Sequence, residues 1–309
     1  MRALVIEDFE SAPRVIDLPV PEPGSGEVLV KVSSASLNGF DVAVASGMVK
    51  GMMEHRFPAV LGKDFAGTVE AIGDGVTSVA VGDPVFGVLM RDYVGDGTFA
   101  EFAVIPEAIG LARIPAGLEP AVAGVLGLAG AAAKGSIEAI APVAGETVLI
   151  SGATGGAGAV AIQLARGTGA EVIATARPGE GEELVRDLGA THVVDYTGDV
   201  GGQVRRIRPK GVEAVVHLAG DAKQLADLAV AGGRFASTLG VGPDQLDRGD
   251  LKATAVMAMP TADVFDGLAS AVARGELRIP IQRRYDLPEV PRAMDDFTKG
   301  TLGKLAITI

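Results

Sequence analysis

The sequence predicts an α/β protein with two domains, a mostly-β domain followed by a doubly wound parallel sheet. Its 309 residues exceed what one typical hydrophobic core holds. In roughly the first hundred residues, short segments rich in Val, Ile, Thr and Phe are separated by Gly, Pro and Asp, as in compact, barrel-like antiparallel domains. From Pro115 onward, apolar strands alternate with helical segments, which is typical of a parallel sheet covered by helices on both faces.

The individual elements follow from local composition. The first domain is predicted to contain the strands Arg2–Ile6, Val28–Val32, Gly67–Ile72 and Thr98–Val104. The second domain is predicted to alternate strands at Thr147–Ile150, Glu171–Thr175, Val193–Val194, Glu213–Leu218 and Arg234–Thr238 with helices at Ala159–Arg166, Glu182–Leu188 and Ala222–Ala229. The end of the chain is predicted to contain helices at Ala262–Arg274 and Val290–Thr298 and strands at Ile279–Ile281 and Leu305–Ile309.

Composition excludes several classes of protein. The net charge of −12 argues against nucleic acid and anionic membranes as partners. The sequence has no cysteine, which excludes disulfides, thiolate nucleophiles and cysteine-bound metals. The apolar run Ala121–Ala133 is too short to cross a bilayer, and the N-terminus lacks the apolar core of a secretion signal. We therefore expect a soluble, cytoplasmic protein.

A glycine-rich loop follows the first strand of the predicted parallel sheet. Residues 153–158 read Ala-Thr-Gly-Gly-Ala-Gly, which fits the dinucleotide-binding fingerprint with Ala153 in place of its first glycine. Gly155 would let the backbone approach a pyrophosphate, Gly158 would let the helix pack closely on its strand, and free N–H groups at the helix start would hold the negative charge. The alternative is a tight turn without a ligand, but the strand–loop–helix–strand context favours a nucleotide.

The end of the next strand indicates which nucleotide this is. An NAD site places Asp or Glu there to hold the ribose hydroxyls. Here the sequence has Thr175-Ala176-Arg177, with no carboxylate and with a guanidinium 19 positions after Gly158. A charge-assisted hydrogen bond to a 2′-phosphate contributes about 1.5–3 kcal/mol, which favours NADPH over NADH. The alternative is a solvated arginine in front of Pro178.

Several motifs occur in a fixed order along nearly the whole chain. They are FPAVLGKDFAGTV at 57–69, VGDPVFG at 81–87, GATGGAG at 152–158, LGATHVVDY at 188–196, GGR at 232–234 and GTLGK at 300–304. Together they resemble the zinc-free quinone oxidoreductase branch of the medium-chain dehydrogenase/reductase superfamily. The resemblance implies a GroES-like catalytic domain at 1–117 plus 256–309, a Rossmann NADP(H)-binding domain at 118–255, a cleft between them and a homodimer.

The same resemblance implies which residues contact NADP(H). Arg177 and Tyr196 should approach the 2′-phosphate, the glycine loop the pyrophosphate, and the segments after two later strands the nicotinamide half. The full set is Ala153, Thr154, Gly155, Gly156, Ala157, Gly158, Thr175, Arg177, Tyr196, Leu218, Ala219, Leu239, Gly240, Val241 and Lys304. A metal is not expected, because zinc-dependent relatives use a cysteine and a Gly-His-Glu triplet where this chain has Gly62-Lys63-Asp64.

Without a metal, the protein must stabilise the charge that develops on the acceptor oxygen. A quinone or an α,β-unsaturated carbonyl gives a phenolate or enolate, whereas a plain ketone gives a more basic alkoxide that usually needs zinc or a dedicated acid. The sequence therefore predicts an NADPH-dependent reductase of small hydrophobic quinones or enones. Two alternatives stay open: an enoyl or activated-alkene reductase of secondary metabolism, and a non-catalytic NADPH sensor.

Candidate catalytic residues are Asn38 and Tyr93. Asn38 lies on the family's N-P-x-D segment and would donate a hydrogen bond to the acceptor oxygen or orient it. Tyr93 lies in a loop that the family fold brings near the cleft, although it could be an ordinary surface tyrosine. Compared with the family pattern, Gly39 replaces a proline, Ala129 replaces a threonine, and a tyrosine shortly after the asparagine is missing. The last two changes remove hydroxyl groups from the expected site.

One further lysine stands at the metal-triplet position. Lys63 could donate to substrate, or it could form an ion pair with Asp64 or Asp41. We expect the ion pair.

Overall fold

The computed structural model describes residues 1–309, which divide into two compact units. The first unit comprises Met1–Leu128 and Pro260–Ile309, and the second comprises Ala129–Met259. The predicted α/β fold class is confirmed: a GroES-like, mostly-β unit is joined to a Rossmann-like parallel sheet with helices.

The N-terminal part of the first unit is made of short strands. Its elements are β1 (Arg2–Ile6), β2 (Arg14–Asp17), β3 (Glu27–Ser36), α1 (Gly39–Ala45), β4 (Glu54–His55), β5 (Ala59–Val60), β6 (Asp64–Ile72), β7 (Pro84–Val88), β8 (Tyr93–Val94), β9 (Phe102–Pro106) and β10 (Leu111–Arg113). The long helix α2 (Pro120–Ile140) then leads into the second unit.

The second unit alternates strands and helices, and the chain then returns to the first unit. The second unit contains β11 (Thr147–Ser151), α3 (Gly156–Gly167), β12 (Glu171–Thr175), α4 (Glu180–Asp187), β13 (His192–Val194), α5 (Val200–Ile207), β14 (Val212–His217), α6 (Ala222–Ala226), β15 (Ala229–Ser237), a 3-10 turn at Pro243–Gln245 and β16 (Lys252–Ala255). The returning segment contains α7 (Ala262–Ala273), β17 (Ile281–Asp286), a 3-10 turn at Leu287–Glu289, α8 (Val290–Thr298) and β18 (Lys304–Thr308).

The main sheet of the first unit joins the two ends of the chain. Its strand order is β10-β7-β6-β3-β18-β17, and β9 also pairs with β3. The pairs are antiparallel, as predicted, except that β17 and β18 run parallel. Alternate valines of β3 are buried in a core with Phe65 and Ile105, as the period of a half-buried strand requires. The pairing of β18 with β3 brings residues near 304 beside residues near 38, and this contact builds the site.

The sheet of the second unit is entirely parallel. Its order β13-β12-β11-β14-β15-β16 reverses direction between β11 and β14. All five residues of β11 are buried, because helices cover both faces of such a sheet. In doubly wound sheets, ligands bind outside the carboxyl ends of the strands at this switch point. The glycine-rich loop follows β11 directly.

Three predicted elements need correction. The strand predicted at Thr98–Val104 begins only at Phe102, because the residues before it lie in bends and Ala100 forms only an isolated bridge with Ala3. The helix predicted at Ala222–Ala229 ends at Ala226, because Ala229 already pairs with Val212 in the sheet. The strand predicted at Ile279–Ile281 begins at its last residue and continues to Asp286.

Helix α2 is longer than the apolar run that predicts it. By length and composition alone its 21 residues could span a membrane, which corrects the argument from the shorter run. However, 61% of its most apolar window is buried inside the protein. Core helices of soluble proteins have the same properties, so α2 is weak evidence for a membrane span.

Candidate functional site

The glycine loop of the second unit is held in a fixed shape. Gly152 adopts a φ of +66°, a left-handed conformation that favours glycine. Its N–H donates to Thr175 Oγ1 at 3.1 Å, which ties the loop to the end of β12. Gly155 is the N-cap of α3, and its own N–H donates to the Gly152 carbonyl at 3.2 Å. The loop is therefore braced at both ends before the helix begins.

The start of α3 fits a phosphate group. A Cβ added at Gly158 would lie 2.4 Å from the Gly152 carbonyl oxygen and 2.6 Å from the Ala153 Cα, so only glycine allows this close packing. The N–H groups of Gly156 and Ala157 belong to the first helical turn, where no intrahelical acceptor exists. Free N–H groups at the positive end of a helix form an anion site. These residues therefore fit the pyrophosphate of a dinucleotide.

An unpaired arginine stands at the end of β12. The Arg177 side chain is exposed and forms no hydrogen bond or ion pair with the rest of the chain. Its guanidinium lies 5.5 Å from the centre of the Tyr196 ring, and Tyr196 is itself 43% exposed. The carboxylate of nearby Asp195 accepts hydrogen bonds from the N–H and Oγ1 of Thr197, which lower its pKa. The Arg177 donors are thus available to a ligand.

The loops after β14 and β15 are held by a buried polar network. His217 is 2% exposed, and its Nδ1 lies 2.9 Å from Ser237 Oγ. Ser237 Oγ also accepts from the Leu239 N–H at 3.1 Å, and Ser151 Oγ accepts from the Leu218 N–H at 3.2 Å. These bonds fix the starts of the loops that contain Ala219, Gly240 and Val241, which the family resemblance assigns to the nicotinamide half. Thr154 lies in the loop after β11.

The first unit contains a buried polar cluster around Asp64, which has 0% exposure. Asp64 Oδ2 accepts from Ser36 Oγ at 2.5 Å, Asn38 Nδ2 at 2.9 Å and Lys304 Nζ at 3.3 Å. Asp64 Oδ1 accepts from the Leu128 N–H at 2.7 Å. We call Ser36, Asn38, Asp64 and Lys304 the Asp64 cluster. The ion pair between Asp64 and Lys304 compensates for the cost of removing both charged groups almost fully from water.

Both ends of the Asn38 amide are engaged within the Asp64 cluster. Its Nδ2 donates to the Ser36 carbonyl and to Asp64, and its Oδ1 accepts from Lys304 Nζ at 2.5 Å. Lys304 Nζ also donates to the Leu37 carbonyl at 3.1 Å, so its three protons all have acceptors. In this conformation Asn38 has no N–H group left to donate to a substrate, and it orients its neighbours instead. Lys304 likewise has no N–H group left to donate to a cofactor.

Asp41 is a buried carboxyl that sequence analysis considered only as an ion-pair partner. It is 1% exposed, and its Oδ2 accepts from the Asn38 N–H at 2.8 Å at the start of α1. Burial raises the pKa of Asp41 to about 7, and the negative charge of Asp64 acts in the same direction. Sequence analysis missed this short helix, although the spacing of Asn38 and Asp41, its N-cap and third helical residue, is a signal that could have predicted it.

The ion pair expected for Lys63 is not formed. Asp64 pairs with Lys304 instead, and Lys63 Nζ makes no hydrogen bond or ion pair with Asp64 or Asp41. Its ammonium lies 5.1 Å from the centre of the Phe40 ring, and burial lowers its pKa.

Tyr93 is held on both sides in β8. Its hydroxyl donates to Asp96 Oδ2 at 2.5 Å, and the Arg56 guanidinium stacks 3.6 Å from the ring centre. Burial and Asp96 raise the pKa of Tyr93, which makes it a weaker acid than a free tyrosine. It belongs to the first unit but not to the Asp64 cluster.

Two family models match the chain. Residues 24–116 match the alcohol dehydrogenase GroES-like domain, and residues 188–307 match the zinc-binding dehydrogenase model. The residues present do not fit zinc: the chain has no cysteine, and no group of three or more His, Asp or Glu side chains is placed to hold a metal ion.

Several curated relatives match over much of this chain but over less than two thirds of their own length, whereas the quinone oxidoreductase of Lama guanicoe is 28% identical over 100% of this chain and 98% of its own. A chloroplast envelope quinone oxidoreductase homolog of Arabidopsis thaliana is 35% identical over 66% of this chain and 63% of its own. A mycocerosic acid synthase-like polyketide synthase of Mycobacterium tuberculosis is 38% identical over 69% of this chain and 10% of its own.

Solved structures match over the full length. The quinone oxidoreductase from Coxiella burnetii has a TM-score of 0.90 at 26% identity and covers 100% of this chain and 99% of its own. An alcohol dehydrogenase superfamily protein from Novosphingobium aromaticivorans has a TM-score of 0.87 at 31% identity, with the same coverage. Mycobacterial Rv1454c complexed with NADPH has a TM-score of 0.87 at 28% identity and covers 100% of both chains. By these matches and its own glycine loop, the chain belongs to the quinone oxidoreductase branch of the medium-chain dehydrogenase/reductase superfamily.

Proposed function

We propose that this protein is an NADPH-dependent reductase of small quinones or α,β-unsaturated carbonyl compounds that works without zinc. The observation that carries the proposal is the unpaired Arg177 guanidinium at the end of β12, one strand away from a glycine loop that fits a pyrophosphate. A nicotinamide cofactor supplies the hydride when it is bound. Its NADP form is supported by Arg177 and by the NADPH complex of mycobacterial Rv1454c.

The protein's own residues would bind the cofactor in parts. The first-turn N–H groups of α3 hold the pyrophosphate, and Thr175 keeps the loop in position through Gly152. Arg177 pairs with the 2′-phosphate, with Tyr196 beside it. The residues after β14 and β15 lie at the carboxyl edge of the sheet, where the nicotinamide half is expected.

A titration of NADPH and NADH tests the cofactor assignment. We expect Arg177→Gln to weaken NADPH binding about 10- to 100-fold and to leave NADH binding unchanged, because only NADPH carries the 2′-phosphate. Arg186→Gln is a matched control, since Arg186 pairs with Glu182 on the exposed face of α4. Equal affinity of the wild-type protein for the two cofactors would contradict the assignment.

Turnover separates the proposed reductase from its two alternatives. Stopped-flow oxidation of NADPH should be fastest with quinones or simple enones. The second candidate is an enoyl or activated-alkene reductase of secondary metabolism; the similarity to a segment of a polyketide synthase favours it, and a preference for activated alkenes over quinones would select it. Tight NADPH binding with no oxidation by any acceptor would identify a sensor.

We also propose that the protein is a homodimer and that it is cytoplasmic. Sedimentation of the purified chain tests the homodimer.

A further inference from the structure

A buried histidine joins two neighbouring strands of the parallel sheet at their carboxyl ends. His217 is the last residue of β14 and pairs with Ser237, the last residue of β15, and both are buried. The ring of His217 makes two further contacts. Its Nε2 lies 3.1 Å from the Gly220 carbonyl oxygen, and its Nδ1 lies 2.9 Å from Ser237 Oγ. One ring therefore connects the loop after β14 with the end of β15.

These contacts assign the proton on the His217 ring. A carbonyl oxygen only accepts hydrogen bonds, so Nε2 carries a hydrogen and donates to Gly220. Ser237 Oγ already accepts from the Leu239 N–H at 3.1 Å, so its own hydrogen can donate to an unprotonated Nδ1. The neutral ring with its proton on Nε2 thus satisfies both of its nitrogens and the Ser237 hydroxyl, as buried polar groups require.

The loop after β14 is held at two separate points. At its start, the Leu218 N–H donates to Ser151 Oγ at 3.2 Å, which joins this part of the loop to the end of β11. The start also packs against the glycine loop, since a Cβ added at Gly152 would lie 3.1 Å from the Leu218 Cβ. Farther along, the bond from His217 holds the Gly220 carbonyl. A change at His217 should therefore loosen the later part of the loop and leave the glycine loop in place.

The two loops that His217 connects lie on the half of the sheet that does not contain Arg177. In a doubly wound sheet of this strand order, each half binds one mononucleotide of a dinucleotide. Arg177 follows β12 and so belongs to the half formed by β11 to β13, which leaves β14 to β16 for the nicotinamide nucleotide. Ala219 and Gly240 are exposed in these loops, and their N–H groups have no acceptor within the protein. They are therefore available to a ligand.

We infer that His217 is a positioning residue for the nicotinamide half of the cofactor: its Nε2–H holds the Gly220 carbonyl while Ser237 holds its Nδ1, so the loops after β14 and β15 keep one arrangement. This inference rests on the proposed function. His217 is buried beneath the loops and acts through them. Loops that are ordered in advance lose less conformational entropy when a ligand binds, and the affinity is higher for that reason.

Titrations with the whole cofactor and with its adenosine half test the inference. His217→Asn keeps a polar side chain beneath the loops but is too short to donate to Gly220. We expect it to weaken NADPH binding about 3- to 10-fold, the usual contribution of one hydrogen bond, and to leave binding of adenosine 2′,5′-bisphosphate unchanged. His217→Gln places an N–H near the position of Nε2 and should restore NADPH binding. His192→Gln, at the start of β13, is the matched control and should bind both ligands as the wild type does.

Nuclear magnetic resonance of the ring nitrogens tests the proton assignment in the wild type. The chain has three histidines, so the His217 signals are identified by their loss in His217→Gln. We expect the neutral form with its proton on Nε2, with and without NADPH. A proton on Nδ1 instead would remove the donor to Gly220 and overturn the inference, even if a variant fails to fold.

The outcomes separate this inference from the proposed function. If His217→Asn weakens the binding of both ligands equally, or of neither, His217 has no special role at the nicotinamide half and the inference is wrong. If the selective loss is found but no acceptor oxidises NADPH, the proposed reductase fails and the positioning role stands. A wild-type protein that binds the adenosine half but gains nothing from the nicotinamide half would contradict the inference, whatever the activity.

Discussion

Replacing Lys304 with methionine should destabilise the protein strongly, because it leaves the Asp64 carboxylate buried without its counter-charge. Asp64 is fully buried and Lys304 is 5% exposed, and their charged atoms lie 3.3 Å apart. At an effective dielectric constant of about 20, the attraction at this distance is about 5 kcal/mol. Breaking a buried pair by removing one partner typically costs about 3–5 kcal/mol.

The remaining partners of Asp64 place the expected loss near the lower end of that range. Ser36, Asn38 and the Leu128 N–H still donate to the carboxylate after the substitution. We therefore expect the free energy of unfolding to fall by about 3 kcal/mol in Lys304→Met. The chain has no tryptophan, so urea unfolding is followed by far-ultraviolet circular dichroism.

A double-mutant cycle isolates the charge effect from the loss of packing. Adding Asp64→Asn to Lys304→Met removes the uncompensated charge and keeps the shape, so the double variant should regain about 1–2 kcal/mol over Lys304→Met alone. Lys299→Met is the control, since Lys299 forms an exposed ion pair with Asp296 and its loss should change stability by less than about 1 kcal/mol. Strictly additive effects of the two substitutions in the cluster would refute the reasoning.

Three further substitutions probe the buried carboxyl and the glycine loop. The pKa of Asp41 is about 7 in the folded protein, against an ordinary value of 3.8, so folding favours its protonated form. The resulting stabilisation is fully present below pH 3.8 and is lost as the pH rises through 7. The loss amounts to up to about 4 kcal/mol in the free energy of unfolding. The free energy of unfolding of Asp41→Asn, measured between pH 4 and 8, should not show this decline. Parallel pH profiles for the variant and the wild type would contradict the prediction. Gly158→Ala should cost about 1–3 kcal/mol and abolish NADPH binding, because its Cβ meets the Gly152 carbonyl at 2.4 Å; retained affinity in a fluorescence titration speaks against the loop as the site. Thr175→Val leaves the Gly152 N–H without its acceptor and should lower stability by about 1–3 kcal/mol and weaken NADPH binding, whereas Thr175→Ser should restore both.

The parallel sheet could be predicted because its signals are local. Strands buried on both faces are short apolar runs, and the predicted Glu171–Thr175 coincides with β12. The glycine loop and Arg177 also follow from a contiguous motif whose spacing fixes the geometry. Elements without such patterns were missed. The edge strand β16 is mostly exposed and carries no buried apolar run, and the seven-residue helix α1 is too short for a helical period to emerge.

The Asp64 cluster could not be predicted, because its members come together only through sheet pairing. Lys304 and Asp64 are 240 positions apart in the chain. They meet because β18 pairs with β3 on one side while β6 pairs with β3 on the other. No local sequence pattern predicts which residues of β6 and β18 pair with β3.

The sequence instead suggested the neighbouring lysine, and strand geometry explains why that lysine does not pair. Successive side chains of an extended segment point to opposite faces, so Lys63, which directly precedes Asp64 at the start of β6, is directed away from the carboxylate beside it. Lys304 reaches the same carboxylate across the sheet and neutralises it. Because Lys304 satisfies Asp64, Lys63 forms no ion pair with that carboxylate.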